Sequence, residues 1–267
     1  MAVWQAQRAI RKQAGFQPIH ANGMAMRYGW IYEEKPHIKA SFQFTFVIEE
    51  LPETPVYVAL EERQAMRVFS NGTLCEQDAG WYKDRAIRKV KLENLREGEN
   101  RIVLDVDYSH ALEIEDIYIL GDFAVNEHRH IVKEPETLRF GDWCQQGYPH
   151  YAGSMTYHFV FESAYEQAKL RLGDYSATLV VASVNKGEPI YIPWRSANEP
   201  AVQLRQGVNT LDLTVVGSNR NMFGPLHQPY QLCSRIDWQD FRKEETGGTE
   251  DYVLYPYGLM SQCYMLV

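Results

Sequence analysis

The sequence predicts an all-β protein, two tandem jelly-roll β-sandwich domains behind one short helix. Alternation is the first sign. Ser41-Phe-Gln-Phe-Thr-Phe-Val-Ile-Glu49 and Ser154-Met-Thr-Tyr-His-Phe-Val-Phe-Glu162 carry apolar residues at every second position, the period of a strand with one face in a core. Duplication is the second. Val58-Ala-Leu60 answers to Leu170-Arg-Leu172, Ala65-Met-Arg-Val-Phe69 to Ala177-Thr-Leu-Val-Val181, and Leu95-Arg-Glu-Gly-Glu-Asn100 to Leu204-Arg-Gln-Gly-Val-Asn209. The offset drifts only from 113 (Ser41 to Ser154) to 109 (Leu95 to Leu204), which small loop changes explain, and a repeat this long means two domains. Punctuation is the third: turn residues recur roughly every 8 to 12 positions, and no strand–helix alternation is present.

In chain order, residues 4–14 combine good helix formers with Trp4, Ala6 or Gln7 and Ile10 at helical spacing, and Gly15 is the stop. Residues 16–32 read as an ordered strand or arm, so that 1–36 form a helix and arm. The first jelly roll spans 37–125, with turns at 52–55, Asn71-Gly72, 78–80 and 97–100. A charged linker, 126–137, leads to the second jelly roll, 138–267. Within the second domain, residues 239–251 are polar with a Gly-Gly, an exposed loop. Alternation places Phe42, Phe44, Phe46 and Ile48 in one core and Met155, Tyr157, Phe159 and Phe161 in the other.

Composition narrows the function. The 267 residues suit two domains of ordinary size, and 45% hydrophobic with 23% charged residues describes a globular chain. A net charge of −8 offers no footprint for nucleic acid or an anionic membrane, which require clustered Lys and Arg. Neutral partners fit better. The aromatic share of 13%, with 17 Tyr and 6 Trp, exceeds what sheet propensity alone requires. No apolar run is long enough to span a bilayer, and the first residues lack a signal-peptide core, so a complete chain would be cytoplasmic and a fragment would carry no address. Cys75, Cys144, Cys233 and Cys263 form no Cys-x-x-Cys pair, and free buried thiols are expected.

Strand, Asn71-Gly72, Gly80-Trp-Tyr-Lys-Asp84, strand, Leu95 to Asn100, strand resembles the sugar-binding jelly rolls of the galactose-binding-like group, as attached to glycoside hydrolases of family two and the rhamnosidase-like families. Gly141-Asp-Trp-Cys-Gln-Gln-Gly-Tyr-Pro-His-Tyr-Ala-Gly153 and Gly217-Ser-Asn-Arg-Asn-Met-Phe-Gly-Pro-Leu-His227 are similar to motifs from the non-catalytic C-terminal part of large bacterial proteins of that kind. The resemblance covers residues 40–227. It implies a carbohydrate-associated accessory region beside a catalytic glycosidase domain.

Each motif has a physical basis of its own. In Leu-x-x-Gly-x-Asn the glycine supplies positive φ and the asparagine bonds its own backbone, which starts the next strand in register. Trp81 offers a face to a sugar ring, with Asp84 or Asn71 for the hydroxyls. A tryptophan is highly buried on average, however, and the expectation is that Trp81 plugs one end of its sandwich. Trp143, Gln145, Gln146, Tyr148, His150 and Tyr151 gather aromatic platforms and neutral hydrogen-bonding groups in nine residues, a mixture suited to polyols. The same loop is equally suited to docking a neighbouring domain. Arg220, Asn221 and His227 orient a ligand, or else Arg220 pairs with a carboxylate and the Gly-Pro turn positions His227 in a rim.

Catalytic signatures are sparse. The carboxylates occur in adjacent pairs and runs typical of solvated strand ends, not as the opposed acid and base of glycoside hydrolysis. His128-Arg-His130 aligns two imidazoles without a visible third ligand. No nucleophile elbow, zinc helix, phosphate loop or dinucleotide fingerprint occurs. No cofactor is expected, and calcium is not indicated. The sequence therefore favours a non-catalytic, carbohydrate-associated accessory region. The alternatives are an interaction module that docks a catalytic domain or a second subunit, and a jelly-roll glycosidase or lyase.

Overall fold

The computed structural model of the chain describes residues 1–16, 37–193, 199–222, 226–227 and 251–267. The expected arm beyond Phe16, all but the last residue of the expected loop at 239–251, and Cys233 lie outside the described residues. The chain divides into two compact units, Met1–Glu134 and Pro135–Val267. Among the described residues, no helix is long and apolar enough to cross a membrane.

The first unit opens with α1 (Val3–Gln13), which ends where Gly15 adopts φ 70°, the left-handed stop that the sequence predicts. Its anchorage is more polar than the spacing of Trp4 and Ile10 suggests. Buried Gln7 Oε1 accepts from the Ile114 amide at 2.9 Å and from the Tyr108 hydroxyl at 3.1 Å, and Arg11 Nη1 donates to the His110 carbonyl at 2.7 Å. The strands are β1 (Ile38–Ile48), β2 (Tyr57–Leu60), β3 (Met66–Ser70), β4 (Thr73–Cys75) and β5 (Asp78–Tyr82). There follow β6 (Asp84–Lys91), β7 (Gly98–Tyr108), β8 (Tyr118–Leu120), β9 (Ala124–Val125) and β10 (Ile131–Val132). They form a six-stranded sheet, β4-β3-β7-β1-β10-β9, and a four-stranded sheet, β5-β6-β2-β8. Phe42, Val68 and Leu104 of the first sheet meet Val58 and Val90 of the second in one core, which makes the unit a sandwich.

The second unit contains β11 (Ser154–Ser163), β12 (Gln167–Arg171), β13 (Tyr175–Ser176), β14 (Leu179–Val184) and β15 (Ile190–Pro193). After these come β16 (Ala201–Gln203), β17 (Gly207–Val216), β18 (Gly258–Leu259) and β19 (Tyr264–Leu266). The order β15-β14-β17-β11 repeats β4-β3-β7-β1, and β16-β12-β19 repeats β6-β2-β8. Duplication in sequence is therefore duplication of topology. As alternation requires, Phe42 is buried with Phe44 and Phe46 packed on the first core, Ile48 is fully buried, and Tyr157 is buried with Met155, Phe159 and Phe161 on the second. The intervening Ser41, Gln43, Thr45, Thr156 and His158 are exposed.

The register differs from the sequence alignment. Asn100 stands opposite Phe46, and its counterpart Asn209 stands opposite Phe161, so Phe46 corresponds to Phe161 and not to Phe159. The alignment of apolar residues is displaced by two. A displacement of two keeps every side chain on its own face, so alternation alone does not detect it.

A pair of asparagines, present once in each unit, stands at this register. Asn100 is fully buried; its Oδ1 accepts from the Arg96 amide at 3.0 Å and from Asn71 Nδ2 at 2.8 Å, while its Nδ2 donates to the carbonyls of Arg96 and Gly98 at 2.6 and 3.0 Å. Asn209 does the same with the Arg205 amide, Asn185, and the Arg205 and Gly207 carbonyls. Asn71 Oδ1 accepts from the Arg101 amide at 2.8 Å, and Asn185 Oδ1 from the Thr210 amide at 3.0 Å. Two turns distant in sequence are clasped together in each sandwich. The glycines follow the expectation as well: Gly98 has φ 89° and Gly207 φ 95°. A Cβ at Gly207 would meet nothing within 4 Å, so Gly207→Ala pays only for left-handed backbone, about 1–2 kcal/mol. Urea unfolding of the second unit is expected to show that loss; an unchanged midpoint would make the glycine incidental.

Candidate functional site

In the second unit, residues 139–153 are sewn to two distant segments. Gly141 N–H donates to the Leu259 carbonyl at 2.7 Å, Trp143 N–H to the Tyr257 carbonyl at 2.8 Å, and Gly217 N–H to the Gly153 carbonyl at 2.9 Å. A single 3₁₀ turn, Trp143–Gln146, begins at Asp142, whose carboxylate accepts from the Cys144 amide at 2.9 Å and the Tyr257 amide at 3.2 Å. Gly147 at φ 100° ends it. Side chains of the loop therefore stand on fixed backbone.

The structure assigns the predicted residues unequal tasks. Trp143 is fully buried, edge-on to Tyr151 with ring centres 5.9 Å apart and 5.7 Å from Tyr257. It is core, and no face remains for a sugar. Gln146 is equally occupied: Oε1 accepts from the Arg139 amide at 2.8 Å, and Nε2 donates to the Arg139 and Asp142 carbonyls at 3.1 and 3.3 Å. Buried Asn221 donates to the Tyr255 carbonyl at 2.8 Å and accepts from its amide at 2.9 Å. These two amides hold loops in place and are not presented to a ligand.

Tyr151 is exposed, whereas Tyr148 and His150 are half-buried, Tyr148 packing against the second core. Tyr151 is 38% exposed, and its hydroxyl donates to the Ser154 carbonyl at 3.0 Å. Tyr148 meets it edge-on at 6.0 Å. His150 Nδ1 donates to the Asn221 carbonyl at 3.0 Å, and its ring contacts Tyr252, which in turn contacts His227. Arg220 is half-buried, with its guanidinium 5.4 Å from the centre of the Tyr255 ring. Tyr252, Tyr255 and Tyr257 are not among the candidates read from the sequence; their close spacing in the C-terminal segment was the available signal. Burial, reinforced by Asp142, pushes the Cys144 thiol up to about 12, which leaves it protonated and unreactive.

In the first unit Trp81 does not plug the sandwich. It is 52% exposed on β5, at a break in register between Asp78 and Trp81 where Gly80 takes φ 91°. The bulge carries it outward. Asp84 is exposed, with Oδ1 accepting from the Ala86 amide at 2.8 Å, and Asn71 is committed to the clasp.

His130, in the expected linker, pairs with a carboxylate: its Nδ1 donates to Glu49 at 2.6 Å, and Asn126 donates to the other oxygen at 3.1 Å. Those bonds hold the Glu49 carboxyl below its ordinary range. A carboxylate so held adds stability above its unfolded pKa and loses it as pH falls through the folded value. The first unit is expected to weaken on acidification across that range, and Glu49→Gln to flatten this part of the stability–pH curve. An identical curve for the variant would show that the pair contributes nothing. Among the described residues no group of three or more His, Cys, Asp or Glu is placed to hold a metal ion.

No family model and no curated protein matches this sequence. Among solved structures, the chain is similar to a rhamnosidase from Novosphingobium sp. PP1Y, with 13% identity, TM-score 0.32, and 95% of this chain aligned to 27% of that one. It is also similar to the Streptomyces avermitilis alpha-L-rhamnosidase complexed with L-rhamnose, at 13% identity and TM-score 0.28, covering 67% of this chain and 22% of that one. A Pleurotus ostreatus lectin gives 7% identity and TM-score 0.21 over 69% of each chain. The chain thus spans about a quarter of the length of the rhamnosidases. Likenesses this slight do not fix a ligand.

Proposed function

We propose that the chain is a non-catalytic, carbohydrate-binding accessory region of galactose-binding-like type, partnered with a glycosidase domain, and that a neutral sugar seats against Tyr148, His150 and Tyr151. The observation that carries this is a group of rings, Tyr151 exposed and Tyr148 and His150 half-buried beside it, on backbone fixed by Asp142, Gln146 and Asn221. A pre-ordered platform loses little entropy when a weakly held ligand arrives. Sugar C–H groups pack on the tyrosine faces, and ring hydroxyls find donors and acceptors at the rim. Trp81 supplies a separate exposed indole on the first unit. Glu49, Asp78 and Asp107, each lowered by hydrogen bonds from His130, Arg88 and Lys39 respectively, are unsuited to the role of a glycosidase acid, which requires a raised carboxyl pKa.

A glycan array followed by calorimetric titration tests the proposal. Tyr151→Ala is expected to weaken binding roughly tenfold, the equivalent of about 1.4 kcal/mol, read in protein shown by its unfolding transition to be folded. Equal affinity in the variant would move the site away from this loop, with Trp81→Ala as the next variant. A blank array at millimolar glycan would favour the interaction module, for which exposed Val160 and Val208 on neighbouring strands supply an apolar surface.

A further inference from the structure

The two clasps share their Asn–Asn pairing but differ in the residue that follows the first asparagine. Asn71 is followed by Gly72, whereas its counterpart Asn185 is followed by Lys186. Both asparagines are left-handed, φ 47° and 52°, and so are the residues after them, φ 85° and 58°. An asparagine followed by glycine is prone to attack by the next main-chain nitrogen on its own side-chain carbonyl, since no Cβ hinders the approach. A lysine at that position obstructs it. Nothing lies within 4 Å of where a Cβ on Gly72 would stand.

We propose that Asn71 is a spontaneous modification site, kept unreactive in the folded protein by the clasp and destabilising to the first unit once converted. In the reaction the Gly72 nitrogen bonds to Asn71 Cγ, the Cγ–Nδ2 bond breaks, and the amide leaves as ammonia carrying the Gly72 proton. Water then opens the five-membered imide at either carbonyl to give aspartate or isoaspartate. No oxidant or cofactor is required. The attack demands that Cγ swing toward the Gly72 nitrogen. In the fold the amide is held three ways, by Nδ2 to the Asn94 carbonyl and to Asn100 Oδ1, and by Oδ1 from the Arg101 amide, all at 2.8 Å.

Conversion reverses the polarity of this contact. Where Nδ2 donated to two oxygens, a carboxylate oxygen would face both of them. Asn100 has no compensating flip, because its own Nδ2 is donating to Arg96 and Gly98 and its Oδ1 is accepting from Arg96. Acceptor would meet acceptor at a buried partner, which is costly. Asn185 would suffer the same reversal, but Lys186 keeps it from reacting. One unit ages chemically and the other serves as its internal control.

The full-length chain is incubated at mildly alkaline pH, native and in urea, and peptide mapping follows the mass change and isoaspartate content at Asn71, at Asn185 and at the other Asn-Gly pair, Asn22-Gly23. Conversion at Asn71 is expected to be at least roughly tenfold slower in the native protein than in urea, since it must await local opening, and Asn185 is expected to stay intact in both. In parallel, Asn71→Asp is expected to lower the first unfolding transition and leave the second unchanged. Equal native and unfolded rates at Asn71 would overturn the protective role of the clasp. Absence of conversion even in urea would remove the modification site, and an unshifted first transition in Asn71→Asp would remove its consequence.

Discussion

Trp143→Ala is expected to destabilise the second unit by about 3–5 kcal/mol, the range for deleting a large aromatic from a packed core. The indole is fully buried and borders Tyr151 and Tyr257. A Cβ on Gly217 would lie 3.0 Å from Trp143, so backbone already abuts the ring and has no side chain with which to refill the space. The strand pairing of β11, β17 and β14 would outlast the loop packing, because those strands are held by their own ladder. Urea unfolding followed by near-UV circular dichroism reads the loss in the second unit. A change below about 1 kcal/mol would mean that the tryptophan is not the centrepiece of this core. Any loss of glycan binding in the same variant reports unfolding, which is why Tyr151, and not Trp143, probes the site.

The two tryptophans show where sequence reasoning reaches its limit. Trp81 was expected to be the plug and Trp143 a platform, but Trp81 is exposed and Trp143 fully buried. Local sequence gives both a similar appearance, an indole one or two residues after a glycine in a turn-rich stretch. Their fates depend on partners far along the chain: Tyr257 and Gly217 close over Trp143, whereas the register break at Gly80 turns Trp81 outward. The same holds for Gln146 and Asn221, whose amides looked suited to a polyol but are satisfied by main chain at Arg139 and Tyr255. A side-chain amide bonds backbone and sugar through the same atoms, so composition does not separate the two uses. The strands, the duplication and the Leu-x-x-Gly-x-Asn turns were legible because period and positive φ are local properties. Cross-strand register was not, because a displacement of two residues leaves the alternating pattern unchanged.

Asn100→Ala and Asn209→Ala are each expected to cost about 2–4 kcal/mol, and each in its own unit. Either substitution removes four hydrogen bonds at a fully buried side chain. It leaves an arginine amide, two carbonyls and the amide of Asn71 or Asn185 in search of partners. An unsatisfied buried group costs roughly 1–3 kcal/mol, and water reaching the turn would recover part of the sum. The loss should exceed that of Gly207→Ala, where only one backbone angle is strained and no donor is orphaned. It should also appear as a loss of register, since the clasp joins the turn before β7 to the β3–β4 turn and the turn before β17 to the one after β14. Amide exchange would therefore quicken first at Arg101 or Thr210, whose N–H groups bond to the partner asparagine. If Asn209→Ala left the second transition in place and Thr210 as protected as before, the asparagine pair would be an accompaniment to the register and not its cause.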